Sequence, residues 1–204
     1  MTRETNARDA HEFASTLMQA ATTFHQPKRD RPSAEAMVQA LLATETQAKQ
    51  ERRRYPSSAL QGQWRLCFTT GVRKRKQGGI RLGNGFYMPK FSPAYIGFHP
   101  ALSDAAAEGS IRNQIQLGGL KLTLTGPCRY LDKKNLLAFD FTDIHITLLG
   151  QTLYQGGIRG GAQKTDMFAQ TPIGKLPFFA FFEVSDRYIA ARGRGGGLAL
   201  WIKE

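Results

Sequence analysis

From Leu60 to the C-terminus, the sequence alternates between apolar and polar residues in short runs that glycines separate. This pattern constrains the fold more than any other feature, because a period of two residues is that of a half-buried β-strand. Two neighbouring runs, "IRNQIQL" and "LKLTLTG", flank Gly118 and Gly119, which predict a tight hairpin turn. No helix-length pattern interrupts the runs. The sequence therefore predicts an antiparallel sheet that closes into a barrel or a sandwich.

Two later stretches refine this prediction. In "LLAFDFTDIHITLL" the apolar positions change phase after Phe141, which predicts one strand with a β-bulge near Asp143. The last residues predict a hairpin, in which glycines 195–197 turn between a strand through Arg192 and a strand through Trp201.

The run "LPFFAFFEV" at 176–184 is apolar on both faces of a strand. Such a run is either a flexible apolar lip on the surface or a strand that is buried on both sides. We favour the buried strand, since two-faced apolar runs usually lie inside a protein.

The N-terminal part of the chain predicts helices instead. Residues 8–25 carry apolar side chains at helical spacing. Ser33 is a favourable N-cap for a second helix, and Pro56 ends the helical region. We expect a helical hairpin over residues 1–55 and a barrel over residues 56–204, which makes the fold mainly β with two N-terminal helices.

The chain is strongly basic, with 28 lysines and arginines against 16 aspartates and glutamates and a formal charge of +12. The excess is concentrated in residues 57–100, which contain no acidic residue. Such a segment predicts an anionic partner: nucleic acid, anionic lipid or an acidic protein surface. Basic and aromatic residues occur together there, and the predicted surface comprises Arg73, Lys74, Arg75, Lys76, Arg81, Tyr87 and Phe91.

The sequence contains little evidence for a catalytic or metal-binding site. Asp143 and His145 lie two residues apart on a predicted strand, but no third ligand is spaced nearby, and Cys67 and Cys128 form no CxxC motif. We therefore predict a non-enzymatic protein without a metal. No run approaches the ~20 apolar residues of a spanning helix, and the N-terminus lacks the apolar core of a secretory signal, so we expect no membrane-spanning helix and no signal peptide.

Both ends of the predicted barrel carry motifs. The arrangement Gly62-x-Trp64, with an arginine on a late strand, resembles that of lipocalins. More specifically, "LQGQWRLCFTTG" is similar to the "L-x-G-x-W-R-L-x-Y-T-T/S" opening of the plastid lipid-associated proteins, the fibrillin family of chloroplasts and cyanobacteria. The C-terminal "SDRYIAARGRGGGLALW" resembles the closing motif of that family, with Arg192 and Gly193 as its arginine-glycine pair, although Ser185 and Arg194 depart from it.

This resemblance implies a lipocalin-like barrel that binds a lipophilic molecule such as a quinone, a carotenoid or another lipid. It also implies peripheral association with a thylakoid-type membrane, on its cytoplasmic side in a cyanobacterium-like cell or in a plastid. Gly62, Trp64 and Arg192 would close the barrel, with the guanidinium stacked on the indole ring. The candidate lining residues are Phe68, Leu122, Leu124, Phe139 and Phe141, although apolar strand residues usually pack against one another.

Two other functions are open at this point. A basic module with a filled barrel would dock, without a ligand, on a photosynthetic complex or another anionic partner. An OB-like barrel would instead bind single-stranded nucleic acid. Nucleic acid is the least favoured partner, because the glycine-tryptophan and arginine-glycine motifs have no role in that function.

Overall fold

The computed structural model describes residues 2–27, 30–74, 80–99, 109–158 and 160–204. Its main feature is a closed barrel of eight antiparallel strands, accompanied by helices, two of which are N-terminal. The predicted fold class, mainly β with two N-terminal helices, is confirmed.

The described part of the chain contains three α-helices and thirteen strands. The helices are α1 (Thr2–Thr23), α2 (Ala34–Glu51) and α3 (Gly161–Met167). The strands are β1 (Gly62–Thr69), β2 (Val72–Lys74), β3 (Ile80–Leu82), β4 (Phe86–Tyr87), β5 (Ala94–His99), β6 (Gly109–Leu117), β7 (Leu120–Leu131), β8 (Leu136–Phe139), β9 (Asp143–Leu148), β10 (Gln151–Gly157), β11 (Phe178–Val184), β12 (Tyr188–Gly193) and β13 (Leu198–Lys203). The barrel closes in the order β1-β5-β6-β7-β8-β11-β12-β13, and β13 pairs again with β1.

Helices α1 and α2 pack on one outer flank of the barrel. The predicted cap is present: Ala36 N–H donates to Ser33 Oγ (3.1 Å), and α2 ends at Arg52. Apolar side chains of both helices share one buried cluster with outward-facing strand residues, among them Leu17, Phe24, Met37, Leu41, Cys67, Phe182 and Leu200. Neither helix is long and apolar enough to cross a bilayer, and the same holds for every other helix in the described ranges.

A bulge in β1 decides which side chains point into the barrel. The pairing of β1 with β13 shifts between Leu66 and Phe68. Trp64 therefore lies inside the barrel, whereas Phe68 lies outside it, in the helix-facing cluster with Cys67. Simple alternation along β1 would place Phe68 on the same face as Trp64 and Leu66, but the bulge adds a residue and reverses the alternation, so the prediction that Phe68 lines the barrel is wrong.

Strand β7 is shared between two partners. Its C-terminal part pairs with β8 and closes the barrel, while its N-terminal part, from Leu120 to Thr125, pairs with β9. The predicted single strand with a bulge near Asp143 is wrong, because the chain leaves the sheet at residues 140–142 and re-enters it as β9. Residues 113–125 and 143–157 thus form a four-stranded extension in the order β6-β7-β9-β10, which we call the arm.

The two ends of the barrel differ. At the closed end, Leu60 and Trp64 are buried, and the Trp64 Nε1–H donates to the Leu60 carbonyl oxygen (2.8 Å). The opposite, open end lies where Thr69 pairs with Ala199. The arm projects from this open end.

Two C-terminal segments complete the barrel wall. The run at 176–184 contains β11, and Phe181 and Phe182 are buried on its opposite faces, which confirms the predicted buried strand. Helix α3 lies between β10 and β11 and was not predicted, since seven residues are too few to show helical periodicity. It is followed by Phe168, which packs on Ala138 of β8.

An ion pair joins α2 to β12. The buried Glu45 carboxylate accepts hydrogen bonds from the Arg192 Nε (2.8 Å) and Nη2 atoms and from Lys49 Nζ (2.9 Å). Burial alone raises the pKa of the Glu45 carboxyl, but the hydrogen bonds from Arg192 and Lys49 outweigh it and hold the pKa below its usual value of 4.5.

We expect Glu45→Gln to lower the free energy of unfolding by about 3 kcal/mol at pH 7, because it leaves Arg192 partly buried without its counter-charge. Since folding lowers the pKa of Glu45, its stabilisation is fully present above pH 4.5 and is lost as the pH falls through the lower folded pKa. Urea unfolding between pH 7 and pH 2 measures both effects. The exposed Glu51→Gln is the control and should change stability by less than about 0.5 kcal/mol at pH 7; equal losses for the two variants would contradict the assignment.

Candidate functional site

The open end of the barrel contains a small cavity, which we call the mouth. Its volume is about 250 Å³, and the side chains around it include Leu66, Ile96, Asn113, Phe179, Ala199 and Trp201. Below the mouth the barrel is filled by aromatic side chains. The Phe139 and Phe179 rings stack with centroids 5.0 Å apart, and Phe98 meets Phe181 edge to face at 5.9 Å. The site that remains open therefore lies at the rim and not in the depth of the barrel.

The inner wall of the barrel continues outward as one face of the arm. On β6, Ile111 is buried inside the barrel, and Ile115 lies on the same face of the strand. Ile115 pairs with Leu122, Leu122 with Ile146, and Ile146 with Tyr154, so one row crosses all four strands. These side chains are half-buried or exposed. Together with the mouth, this apolar face forms a continuous apolar trough.

The far end of the arm presents four large apolar side chains to solvent. Two turns meet there, and the Leu149 N–H donates to the Gly119 carbonyl oxygen (2.8 Å). We call the four leucines at these turns the leucine tip: Leu117 (56% exposed), Leu120 (39%), Leu148 (43%) and Leu149 (81%). Residues 144–158 contain no aspartate, glutamate, lysine or arginine, although 22% of the whole chain is charged. Exposed leucines without intervening charge are typical of a surface that contacts a membrane, a ligand or a protein.

The opposite face of the arm is polar and borders an open groove of about 750 Å³. Asp143 and His145 both line it, but each has a threonine partner: Asp143 Oδ2 accepts from Thr142 Oγ1 (2.7 Å), and His145 Nε2 lies 3.0 Å from Thr152 Oγ1. Over the described ranges, no three histidine, cysteine, aspartate or glutamate residues come together as metal ligands. The groove thus offers polar contacts without an evident catalytic pair.

The closed end corrects the predicted barrel closure. Gly62 has a φ of +119°, a conformation that L side chains rarely adopt, and Trp64 fills the floor as expected. The cation over its indole ring is Lys203, whose Nζ lies 4.6 Å from the ring centroid. Arg192 pairs with Leu198, five residues and about 16 Å along β13 from Lys203, and binds Glu45. The predicted stacking of Arg192 on Trp64 is therefore wrong.

The predicted lining residues fall into three groups. Phe139 and Phe141 pack with the barrel interior, their ring centroids 5.2 Å apart. Leu122 and Leu124 are half-buried on the apolar face of the arm. Phe68 lies on the outer wall, where its ring meets Tyr87. Only Leu122 and Leu124 therefore lie on the trough, whereas Phe139 and Phe141 belong to the packed interior below the mouth.

The structure describes only part of the predicted basic surface. Arg73 lies on β2 opposite Arg81 on β3, and Lys74 lies opposite Ile80, whereas Arg75 and Lys76 are outside the described residues. This hairpin starts at the open end, since Thr70 N–H donates to the Leu198 carbonyl oxygen (2.9 Å) and Gly83 N–H to that of Gly71 (2.7 Å).

The two aromatic residues of that surface differ in exposure. Tyr87 is half-buried, its hydroxyl donates to the Pro32 carbonyl oxygen (3.0 Å), and burial raises its pKa. Phe91 is 78% exposed. Only Phe91 of the pair is therefore free to contact a partner.

Sequence reasoning missed most of the mouth and the leucine tip. The charge-free stretch at 144–158 was a signal for the tip that the sequence already carried. Ala199 and Trp201 could not be assigned to the mouth, because the bulge in β1 and the pairing of β13 determine which strand residues face inward.

No protein-family model, curated protein or solved structure matches this chain. Membership of the plastid lipid-associated proteins stays a prediction that rests on the motifs alone.

A double-mutant cycle checks the observed closure of the barrel. We expect Trp64→Leu and Lys203→Met to be non-additive, with a coupling of about 0.5–1 kcal/mol, because either change removes the same cation–π contact. Trp64→Leu and Arg192→Met should be additive, since their side chains lie at different levels of the barrel. Urea unfolding of the single and double variants gives both couplings; a larger coupling to Arg192 than to Lys203 would restore the original prediction.

Proposed function

We propose that this protein is a non-enzymatic binder of lipophilic molecules, which holds its ligand in the apolar trough at the open end of the barrel. The observation that carries the proposal is the continuity of the inner barrel wall with the apolar face of the arm, whose side chains are half-buried or exposed. Barrels of about eight strands hold one small ligand or are filled by side chains, and here the packed depth leaves only the rim for binding.

The dimensions of the trough favour a long, narrow ligand. The mouth, at about 250 Å³, is smaller than the ~300–1,000 Å³ of a site that encloses a whole drug-sized molecule. Strand β9 is six residues long, about 20 Å, and carries Ile144, Ile146 and Leu148 on the apolar face. An isoprenoid or acyl tail fits this shape, with its end in the mouth and its length along the arm. Quinones, carotenoids and other lipids, which the motif resemblance implies, belong to this class.

The leucine tip supports a peripheral attachment to membranes. Moving an exposed leucine side chain from water into an apolar environment stabilises by about 1.5–3 kcal/mol, and the tip presents four such side chains in two adjacent turns. The basic hairpin β2–β3 starts at the same end of the barrel, and anionic lipids attract positive charge there. With the leucine tip and the basic hairpin both facing the membrane, the leucines enter the acyl region of the bilayer and the trough opens toward the lipids. A thylakoid-type membrane follows from the motif resemblance alone.

A second candidate function has its own observation. The packed aromatic interior favours a docking module that binds no ligand, and in the described chain β10 pairs only with β9, so its outer edge carries backbone groups without a strand partner. Such an edge accepts an extended segment of another protein. An anionic partner, such as a photosynthetic complex, would use the positive charge of the chain.

Ala199→Phe tests the ligand site, because a phenyl ring at this position fills the mouth. We expect the variant to bind a fluorescent polyene fatty acid about tenfold more weakly than the original chain. Ala169→Phe, in an exposed loop after α3, is the matched control and should bind normally.

Organic extraction of the purified protein followed by mass spectrometry supplies the second readout. The proposal requires a lipophilic molecule in the extract of the original chain and less of it in the extract of Ala199→Phe. A clean extract together with no binding of the fatty acid would leave the docking module as the better function.

Membrane attachment is tested by replacing Leu117 and Leu149 with serine. We expect the double variant to sediment with anionic vesicles about tenfold more weakly at both low and high salt, because the lost contact is apolar and salt does not screen it. Met167→Ser removes an exposed apolar side chain (60% exposed) outside the arm and serves as the control.

Replacing Arg73, Lys74, Arg75 and Lys76 with glutamine tests the electrostatic part of the membrane attachment. This variant should bind weakly at low salt and differ little from the original chain at high salt, since each charge contributes about 1 kcal/mol near an anionic surface and is screened by ions. For the Leu117→Ser/Leu149→Ser variant, sedimentation as strong as that of the original chain would show that the leucine tip does not contact the membrane.

A further inference from the structure

A second site lies on the flank of the barrel, where α2 ends beside the turn between β7 and β8. An open pocket of about 290 Å³ lies between these two segments, and we call it the basic pocket. Its lining contains six cationic residues, namely Lys49, Arg52, Arg53, Arg54, Lys133 and Lys134. Glu45 is the one acidic residue of the described lining. The apolar inner side is formed by Ala180, Phe181 and Phe182 of β11.

The buried side chain of Asn135 ties the two basic segments together. Its Nδ2 donates to the Arg53 carbonyl oxygen (2.7 Å), and its Oδ1 accepts from the Tyr55 N–H (3.0 Å). Asn135 also ends the turn with a φ of +47°, a conformation that asparagine tolerates better than most residues. These hydrogen bonds fix the two basic segments relative to each other and keep their cations close together.

Most of the charge in the basic pocket is not compensated. Lys49 is paired with Glu45 (2.9 Å), and Arg53 with Glu51 (2.6 Å) and Glu183 (2.7 Å). The other four cations, Arg52, Arg54, Lys133 and Lys134, have no ion pair with any described residue. Glu45 offers them no free charge, because its carboxylate is already bound by Arg192 and Lys49.

Four unpaired positive charges around one pocket repel one another, and a bound anion relieves this repulsion. Guanidinium and ammonium groups donate charge-assisted hydrogen bonds to phosphate oxygens, and arginine does so with two parallel bonds. A phosphate monoester carries a charge of about −1.5 to −2 at pH 7, which matches this excess better than a single carboxylate does.

We infer that the basic pocket binds an anion that carries one or two phosphate groups. The inference does not depend on the proposed lipid site, because the basic pocket and the mouth have no lining residue in common. The phosphate belongs either to a soluble metabolite or to the headgroup of a phospholipid, and the experiment below separates these sources.

Isothermal titration with inorganic pyrophosphate is the direct test. The original chain should bind it, and its Kd should rise with salt concentration. Lys133→Gln/Lys134→Gln is expected to raise the Kd by about tenfold or more, because the loss of one charge-assisted hydrogen bond of ordinary strength corresponds to that factor. Both side chains are exposed and have no hydrogen bond among the described residues, so the fold should persist.

Lys175→Gln/Arg187→Gln is the matched control, since it removes two exposed cations outside the pocket and leaves the same net charge. It should bind pyrophosphate like the original chain. Arg52→Gly is a further pocket variant: glycine adopts the left-handed conformation that Arg52 has (φ 53°), so the helix end is preserved while one cation is lost. Its Kd should also rise.

Vesicles that contain phosphatidic acid identify the source of the phosphate. If the Lys133/Lys134 variant loses affinity for vesicles and for pyrophosphate, the site takes a lipid headgroup; if it loses only pyrophosphate, the site takes a soluble phosphate. Absence of heat with the original chain at millimolar pyrophosphate would overturn the inference. Equal weakening in the pocket variant and the charge-matched control would overturn it too, since general attraction by the net charge would then explain the binding.

Discussion

Strand β7 is divided between two partners, and this division produces both the closed barrel and the projecting arm. One half of this strand closes the barrel with β8, and the other half pairs with β9 and carries the arm outward. The division occurs at Gly126, where a Cβ atom would lie 2.1 Å from the Asp140 carbonyl oxygen. Only a residue without a side chain allows the two backbones to approach so closely, so this glycine permits a closed barrel and an open arm in one sheet.

Once β7 is divided, the chemistry of the two faces follows from the period of the strands. Residues that point into the barrel at its closed end continue as the apolar face of the arm beyond the open end, because the parity of β6 and β7 does not change between them. The aromatic packing of the interior makes the barrel a rigid support, while the side chains on the apolar face of the arm are half-buried or exposed. Under the proposed function, one part of each strand stabilises the barrel and another part of the same strand binds the ligand.

Strand parity also explains how much could be predicted from the sequence. The β6–β7 hairpin and the final hairpin were predicted correctly, since glycines mark both turns and apolar and polar residues alternate where β6 and β7 flank the first of them. The position of Phe68 was predicted wrongly, because the bulge in β1 arises from its pairing with a strand more than a hundred residues away. The role of Arg192 was wrong for a similar reason: its partner, Glu45, lies on a helix, and no pattern within the barrel sequence indicates that contact.

The candidate sites, too, could be predicted only in part from the sequence. Leu122 and Leu124 were predicted as lining residues because they lie on one face of a strand, and they lie on the apolar face of the arm, whereas Trp201 was not assigned to the mouth. The basic pocket combines three arginines that follow α2 with two lysines from a turn that is distant in the sequence. Only the side chain of Asn135, which bonds to the backbone between them, brings these segments together.

If the inner barrel wall and the arm form one surface for a lipophilic ligand, a bound fatty acid contacts side chains on both. NMR of leucine methyl groups in the presence of a nitroxide-labelled fatty acid measures this contact, because the nitroxide broadens the signals of nearby methyls. We expect strong broadening at Leu66, Leu122 and Leu124 along the trough and none at Leu17 and Leu41, which the two N-terminal helices bury against the outer wall of the barrel. Broadening confined to the helical flank, or none at millimolar fatty acid, would contradict it.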